Sequence, residues 1–436
     1  MKTLAATPLC LLVLTLPLAA GEDGSGRKGP LKGLPSAEGP HIAKIKAMGD
    51  NSWLNLGVVP DDPEWGVAKG RGWCGRMPFA PDLRGAFLYG EGRHGGTTKR
   101  KGKSYYNDDL FFYDVNANRW ICVYPGMEVG KYNLKLNEDG FEVNAEGNPV
   151  PVAVFVHCYS NLTYDTDRKM FVHMWRPSGY WRKPFPKRVE LLNKNIDRVN
   201  GHGRLPYNKM TQASPWMYDT AAGHWRRYKT KSKAGGSGHL LYIPYMKRCL
   251  LFSQRGTMKY YNPAVNDWET VTPKGQKPPR AGDAASCYDP KRKRVYVAMG
   301  AYPKKIKGPK NQNRVFAFDL ESSTWIDLKA TGELPPIAGG VSGCSSTKLH
   351  YDTANDALLF FAFGTDITGS RDSAGVYAYE PEKNEWKRMT KGFAPDWPRG
   401  GNHTFYDTAL NAFFIYRGGT QGKGPMFVYR YKRAEK

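Results

Sequence analysis

Acidic residues are in short supply in this chain of 436 residues: 40 Asp and Glu stand against 64 Lys and Arg, a formal net charge of +24. That imbalance favours anionic partners such as nucleic acid, anionic lipid or acidic glycan, or else it only keeps the protein soluble. Long apolar runs are lacking as well, and beyond the first twenty residues none could cross a bilayer, so no membrane span is expected. Cysteine is scarce, with seven in all and no CxxC pair or zinc-ligand spacing. No metal or cofactor is therefore called for. Cys122 and Cys249 fall inside hydrophobic runs and are expected as buried thiols, while the spacing leaves any disulfide pairing open. A nucleophile elbow, an HExxH pair, a phosphate loop and a cysteine–histidine pattern are all absent, and no long stretch carries the apolar period of a helix.

The first residues, MKTLAATPLCLLVLTLPLAAGEDG, combine Lys2, an apolar run from Leu9 to Leu18 and small residues before Gly21. This is the make-up of a secretory signal peptide over residues 1–21, so a periplasmic or secreted protein is expected. Export argues against a nucleic-acid partner. Residues 22–50 are rich in Gly, Pro and Lys and read as a flexible lead-in.

Glycine (48) and proline (31) are plentiful, which fits short strands joined by turns. Five times, an aromatic in a hydrophobic run is followed seven residues later by tryptophan: Tyr113 and Trp120, Tyr218 and Trp225, Tyr261 and Trp268, Phe318 and Trp325, Tyr379 and Trp386. Turn residues separate the two, as in DVNANRW, NPAVNDW and EPEKNEW, so each pair marks a hairpin. Upstream of each lies a second strand–turn–strand element, such as YSNLTYDTDRKMFVHMW or STKLHYDTANDALLFFAFG. Four strands therefore make one unit. From Trp225 onward the tryptophans are 43, 57 and 61 residues apart, and four-stranded units at such a period stack radially into a β-propeller.

Six strand–turn–strand elements begin near Arg76, Cys158, Gly238, Asp283, Ser346 and Gly401. The sixth unit lacks its tryptophan: Tyr431 occupies the aromatic slot, but position 438 does not exist. DNSWLNLGV near the N-terminus has the tryptophan-strand pattern without the three strands that should precede it. Trp53 is therefore expected to supply the outer strand of the sixth blade, which would remove an exposed edge.

These residues resemble the kelch-repeat family from about residue 51 to the end. The aromatic-to-tryptophan spacing and the turn residues match well. The double glycine that often ends the second strand stands intact only as Gly418–Gly419. The resemblance implies an all-β, six-bladed kelch-type propeller over residues 51–436. It leaves function open, since such propellers include oxidases, epimerases, lyases and binding modules. Two segments depart from the repeat: residues 124–153, expected as a hairpin between blades one and two, and residues 176–214, which interrupt the second blade and could hold a short helix from Lys187 to Val199.

In a propeller the first strand of each blade lines the channel. Three residues before the aromatic of each first strand stand Arg76, Asn161, His239, Ala285, Lys348 and His403, five of them polar and four able to carry positive charge. Loops expected at the same end add Arg93, His94, Arg176, Trp181, Arg255, Lys304, Arg371 and Arg417. Guanidinium forks beside tryptophan suit an anionic carbohydrate, with a carboxylate or sulfate on the cation and the sugar ring on the aromatic face. A wet channel that merely tolerates polar side chains would look the same. The expected partner is an acidic glycan and the expected state a monomer.

Three kinds of catalysis are compatible with the resemblance. A copper radical oxidase like galactose oxidase would need two histidines and two tyrosines on copper, within seven blades and a further domain. An epimerase like the bacterial sialic-acid epimerases offers no motif to carry over. An eliminase on uronates would need a cation, Arg76 or Lys348, and a base, His239 or His403. The alternatives are thus a glycan-binding propeller and a lyase or epimerase. The sequons at Asn161 and Asn402 fall in inner strands and read as coincidence.

Overall fold

The repeating elements fold into six sheets, each built on four antiparallel strands, arranged as a six-bladed propeller; in blades 4 and 5 a fifth short strand, Lys274–Gly275 or Thr331–Gly332, pairs parallel with the outer strand. The computed structural model describes residues 26–72, 74, 76–90, 97–130, 135, 137–139, 141, 143–151, 160–174, 214–232, 234, 238–253, 257–276, 284–298, 314–335, 347–363, 374–392, 402–419 and 422–434. From the channel outward, blade 1 comprises Phe79–Ala80, Gly85–Tyr89, Leu110–Asp114 and Arg119–Tyr124. Blade 2 comprises Leu162–Asp165, Met170–His173, Trp216–Asp219 and His224–Arg226, and blade 3 Gly238–Ile243, Arg248–Ser253, Met258–Asn262 and Asp267–Val271. Blade 4 comprises Ala285–Asp289, Arg294–Ala298, Val315–Asp319 and Thr324–Asp327, and blade 5 Thr347–Asp352, Ala357–Ala362, Gly375–Glu380 and Glu385–Arg388. Blade 6 takes Asn402–Asp407, Ala412–Arg417 and Pro425–Arg430 from one end of the chain and Ser52–Val58 from the other. The innermost strands touch their neighbours in a closed ring, which makes blades 1 and 4 diametrically opposed.

Local chemistry explains the hairpins. The inner strands of blades 2, 4, 5 and 6 end in Asp165, Asp289, Asp352 and Asp407. Each Oδ1 accepts two backbone N–H groups of the following turn, at 2.8–3.1 Å. The turns then close through a left-handed residue: Lys169, Lys293, Asp356 or Asn411. The outer hairpins use a second device. Asn118, Asn266 and Asn384 sit in the left-handed region, and each Oδ1 accepts a hydrogen bond from the tyrosine that pairs with the blade's tryptophan, at 2.7–3.0 Å.

Closure repeats that device without a covalent hairpin. Trp53 pairs with Tyr429, and the Tyr429 hydroxyl donates to Oδ1 of Asn51, itself left-handed, at 2.7 Å. Tyr429 and not Tyr431 therefore holds the aromatic slot. Phe427, Tyr429 and Tyr431 share one phase of a period-two strand, so alternation alone could not choose among them. With no turn to fix the register, packing and the Asn51 bond decide it.

The core is divided. One apolar cluster fills each of the six blade boundaries, and each tryptophan packs toward the preceding blade. Burying a tryptophan there contributes on the order of 4–6 kcal/mol of transfer energy. Two boundaries gain from residues before the propeller. Leu31 and Leu34 enter the cluster between blades 1 and 2, while Ile42, Ile45 and Met48 enter that between blades 6 and 1. The lead-in expected to be flexible is thus held from residue 26 onward, including a helix over Pro40–Ala47. Backbone bonds run from Lys28 N to Ala221 O and from Gly39 N to Asn116 O. Its apolar residues Leu31, Leu34, Ile42, Ile45 and Met48 are dispersed among Gly, Pro and Lys, so composition hides them.

The expected signal segment, the 187–199 helix and the hairpin tip at Gly140 lie outside the described residues. Of residues 124–153, the described part shows two Asn-closed turns, Asn137 to Phe141 and Asn144 to Asn148. A short hairpin of Thr97–Arg100 and Lys103–Tyr106 stands between the second and third strands of blade 1. Cys122, Cys249 and Cys287 are buried free thiols, and Cys74 is buried as well.

Candidate functional site

After its outer strand in blade 6, the chain must cross from the rim to the channel before entering blade 1. Gly70 makes this crossing feasible: a Cβ there would fall 2.2 Å from Gly419 O, while Gly70 N donates to Gly422 O at 2.9 Å. The Gly418–Gly419 pair thus makes room for an incoming backbone. The next residue, Arg71, donates its backbone N–H to His403 Nε2 at 2.8 Å. That bond places the His403 proton on Nδ1. Burial, with Lys348 and Arg71 nearby, holds this imidazole neutral well below the usual histidine range.

Arg76 follows on the same segment and reaches across the lumen. Its Nη2 donates to Ser286 O at 2.7 Å and Ser286 Oγ at 2.8 Å, from blade 1 to the opposite blade 4. Ser286 Oγ also lies 2.7 Å from His239 Nδ1, a bond in which either group can donate. The His239 ring stacks on Phe252. Lys348 lies beside this chain, with Arg76, Ser160, Ala285, Ser286 and His350 around a void of about 10 Å³, roughly the size of one water. Asn161 Oδ1 accepts from Gly238 N at 2.9 Å and serves the joint between blades 2 and 3. Asn161 and Asn402 are 2% and 0% exposed, so both sequons are buried.

The residues three before each aromatic therefore gather as a bar and its surroundings deep in the channel. His239, Lys348 and His403 are almost wholly buried, and only Arg76 keeps part of its surface open. Arg417 lies on the second strand of blade 6, paired with Asn402. Arg93, His94, Arg176, Trp181, Arg255, Lys304 and Arg371 lie outside the described residues.

Arg76 also floors a larger cavity of about 330 Å³ that opens toward the C-terminal ends of the inner strands. This is the other end of the channel from the loops expected to carry the ligand. Its walls are the six inner-strand aromatics Phe79, Tyr164, Tyr242, Tyr288, Tyr351 and Tyr406, and its rim is Thr166, Pro244, Pro290, Thr353 and Thr408. Four hydroxyls are tied back to carboxylates, Tyr164 to Asp82, Tyr242 to Asp167, Tyr351 to Asp356 and Tyr406 to Asp352. The rings are held as a rigid collar. Tyr288 has its hydroxyl pushed up to about 12 by burial.

No carboxylate is among the described residues that line this cavity; its ionisable groups besides the tyrosines are Arg76, His350 and the Cys287 thiol. Burial pulls the Arg76 guanidinium down to about 10. His350, whose Nε2 lies 2.6 Å from Thr404 Oγ1, is held near 3 by burial and by Arg76 and Lys348. Sequence reasoning missed His350 and the aromatic collar. The signal was present, because positions one and three before an aromatic share a face of a strand, so His350 follows Lys348 into the lumen.

Among the described residues no three His, Cys, Asp or Glu side chains converge as a metal site would require. No family model matches the chain, and no curated protein does. Solved structures to which it is similar include an auxiliary nutrient binding protein from Bacteroides ovatus ATCC 8483. The match has TM-score 0.44 and 11% identity, and covers 87% of this chain and 77% of that one. Another is an oligogalacturonate lyase from Vibrio parahaemolyticus, with TM-score 0.42 and 10% identity, covering 89% of this chain and 100% of that one. Likeness at this level assigns neither ligand nor activity.

Proposed function

We propose that this propeller binds an anionic carbohydrate in its central channel, with a carboxylate or sulfate on Arg76 and the sugar ring against the aromatic collar. One observation carries the reading: Arg76 is a half-open guanidinium at the floor of an aromatic-walled cavity without a carboxylate, and its Nε and Nη1 have no acceptor among the described residues. Those two groups, on opposite sides of the guanidinium, can each donate to an oxyanion oxygen. The volume of about 330 Å³ lies within the range of small-ligand sites. The leader-like residues 1–21 would bring the protein to a compartment where acidic glycans occur.

Binding is favoured over elimination or epimerisation by the placement of the two histidines. His403 spends its basic nitrogen on Arg71 N, and His239 and His403 are both fully buried outside the lining of the Arg76 cavity. Neither is poised to take a proton from a substrate as arranged. Calorimetry with galacturonate, N-acetylglucosamine 6-sulfate and galactose tests the reading. The acidic sugars should bind at least tenfold more tightly than galactose, and Arg76→Gln should abolish the preference. A preference that survives Arg76→Gln would remove Arg76 from the site. Turnover of an oligogalacturonate, read at 232 nm as the unsaturated product, would favour the lyase reading instead.

A further inference from the structure

The six collar aromatics occupy equivalent positions of a repeat, yet Tyr288 is held differently from its fellow tyrosines. Tyr164 donates its hydroxyl to Asp82 in the inner turn of blade 1, and Tyr242 to Asp167 in the inner turn of blade 2. In both cases the acceptor stands three residues after the preceding blade's own aromatic, Phe79 or Tyr164. The same offset directs Tyr288 of blade 4 to position 245 in blade 3. The turn there reads YIPYMKR, and Tyr245 stands where an aspartate would be the acceptor. Ile243 likewise replaces the aspartate that ends the inner strands of blades 2, 4, 5 and 6. The Tyr288 hydroxyl accordingly has no hydrogen-bond partner among the described residues. Tyr245 is its neighbour, acting after burial to push that hydroxyl up.

Tyr245 is fixed by its own turn. Pro244–Met246 forms a single 3-10 turn, closed by Lys247 N to Pro244 O at 3.0 Å, with Lys247 left-handed at φ 51°. The Lys293 ammonium sits 5.4 Å from the Tyr245 ring centroid and is itself paired with Glu321. The Tyr245 residue is 45% exposed, against 4–8% for the four collar tyrosines tied to carboxylates. Pro244 is part of the cavity rim, so Tyr245 begins just outside the mouth.

The floor dictates where a bound chain must go. Arg76 separates the cavity from a void of about 10 Å³, which admits roughly one water. A ligand held on Arg76 therefore leaves by the mouth. Ser286, which accepts from Arg76, and Tyr288 share one face of the inner strand of blade 4, about 7 Å apart along it. Tyr288 thus follows Arg76 on the way out, and Tyr245 follows Tyr288.

We infer that Tyr288 and Tyr245 form a second sugar subsite, which receives the next residue of an oligosaccharide whose acidic terminal sugar sits on Arg76. The Tyr288 hydroxyl pairs with a sugar hydroxyl, and the apolar C–H face of the next ring packs on Tyr245. The inference rests on the channel reading above and specifies its ligand as the end of an acidic oligosaccharide. An internal stretch of a polymer does not fit a cavity closed at its floor.

Calorimetry on the full chain with galacturonate and trigalacturonate tests the subsite. The trisaccharide should bind at least tenfold more tightly than the monosaccharide. Tyr245→Ala, at an exposed position, should remove that gain and leave galacturonate affinity within twofold. Tyr288→Phe should weaken the trisaccharide by about fivefold, the effect of one lost hydrogen bond, and Tyr351→Phe, whose hydroxyl is already spent on Asp356, by less than twofold. A gain that survives Tyr245→Ala, or equal losses for both sugars, would overturn the subsite. Polygalacturonate should compete in proportion to its chain ends; competition in proportion to its total uronate would overturn end-on entry. Arg76→Gln separates the two readings. Galacturonate affinity lost on Arg76→Gln, with the trisaccharide gain indifferent to Tyr245→Ala, leaves the channel reading standing without the subsite. Trisaccharide affinity lost on Tyr245→Ala but unmoved by Arg76→Gln would overturn the channel reading and keep a sugar on Tyr245.

Discussion

Arg71 and Arg76 are five residues apart on one incoming segment, and both are carried deep into the molecule. Arg71 meets a carboxylate at 2.6 Å, shares it with Arg100, and is 1% exposed. Among the described residues Arg76 meets only a serine hydroxyl and a carbonyl; it keeps part of its surface open and is pulled down toward 10 by burial. A guanidinium whose charge is met inside the fold is a structural part. One whose charge is left to the lumen is held at a cost in stability, which is the arrangement expected where binding supplies the counter-charge.

The contrast breaks most visibly at Asp109. Asp109→Ala removes the carboxylate that two buried guanidiniums share and should cost about 3–5 kcal/mol in urea denaturation. A loss below about 1 kcal/mol would mean that water already solvates the pair, and the distinction between the two arginines would fall.

Acid should act on both sides. His403, bonded to Arg71 N, is held well below its ordinary value, and His350, beside Arg76, near 3. Both values are depressed in the folded state. Below about pH 6.5 the unfolded chain takes up protons that the folded one refuses, so stability present near neutrality is lost as the pH falls toward 3. From pH 7 to pH 5 each should contribute a loss of about 1–2 kcal/mol. Urea midpoints measured at the two pH values check this, and His350→Gln should flatten the slope. An unchanged slope would place His350 in contact with solvent.

A control remote from either arginine sets the scale. Tyr261→Phe removes the hydroxyl bond to Asn266 and should cost about 1 kcal/mol. Tyr429→Phe should match it, because the Asn51 bond is the same device across the chain closure. A much larger loss for Tyr429→Phe would show that closure depends on that single bond more than on the Trp53 strand.

The smallest stability effect is expected at Arg76. Arg76→Met removes a poorly paired cation and refills the space, so folding should change by less than about 1 kcal/mol while anion binding disappears. A loss comparable to that of Asp109→Ala would make the bar across the lumen structural.

Much of the fold was legible because it is local. The seven-residue interval from Tyr261 to Trp268 is one hairpin, and its Asn266 turn is written within it. Trp53 could be assigned to the last blade because every other tryptophan strand had three strands before it. Which aromatic would meet Trp53 was not legible, since Phe427, Tyr429 and Tyr431 share a phase and no turn fixes the register. The hold of residues 26–48 on the propeller was equally hidden, because Leu31, Leu34, Ile42 and Ile45 matter only where two blade boundaries stand open to receive them.

The candidate site divides along the same line. Chain order and strand period by themselves determined that Arg76, His239, Lys348 and His403 occupy equivalent inner-strand positions, since a repeat places like positions alike. Only the tertiary structure decided that Arg76 spans 210 residues of sequence to reach Ser286 on the opposite blade. The same is true of the tautomer of His403, the carboxylate-free cavity and the sharing of Asp109 by two guanidiniums. Those outcomes depend on which side chains meet across the ring and on how much water remains there. Burial, charge pairing and hydrogen-bond direction belong to pairs of residues brought together by closure, and no single strand carries them.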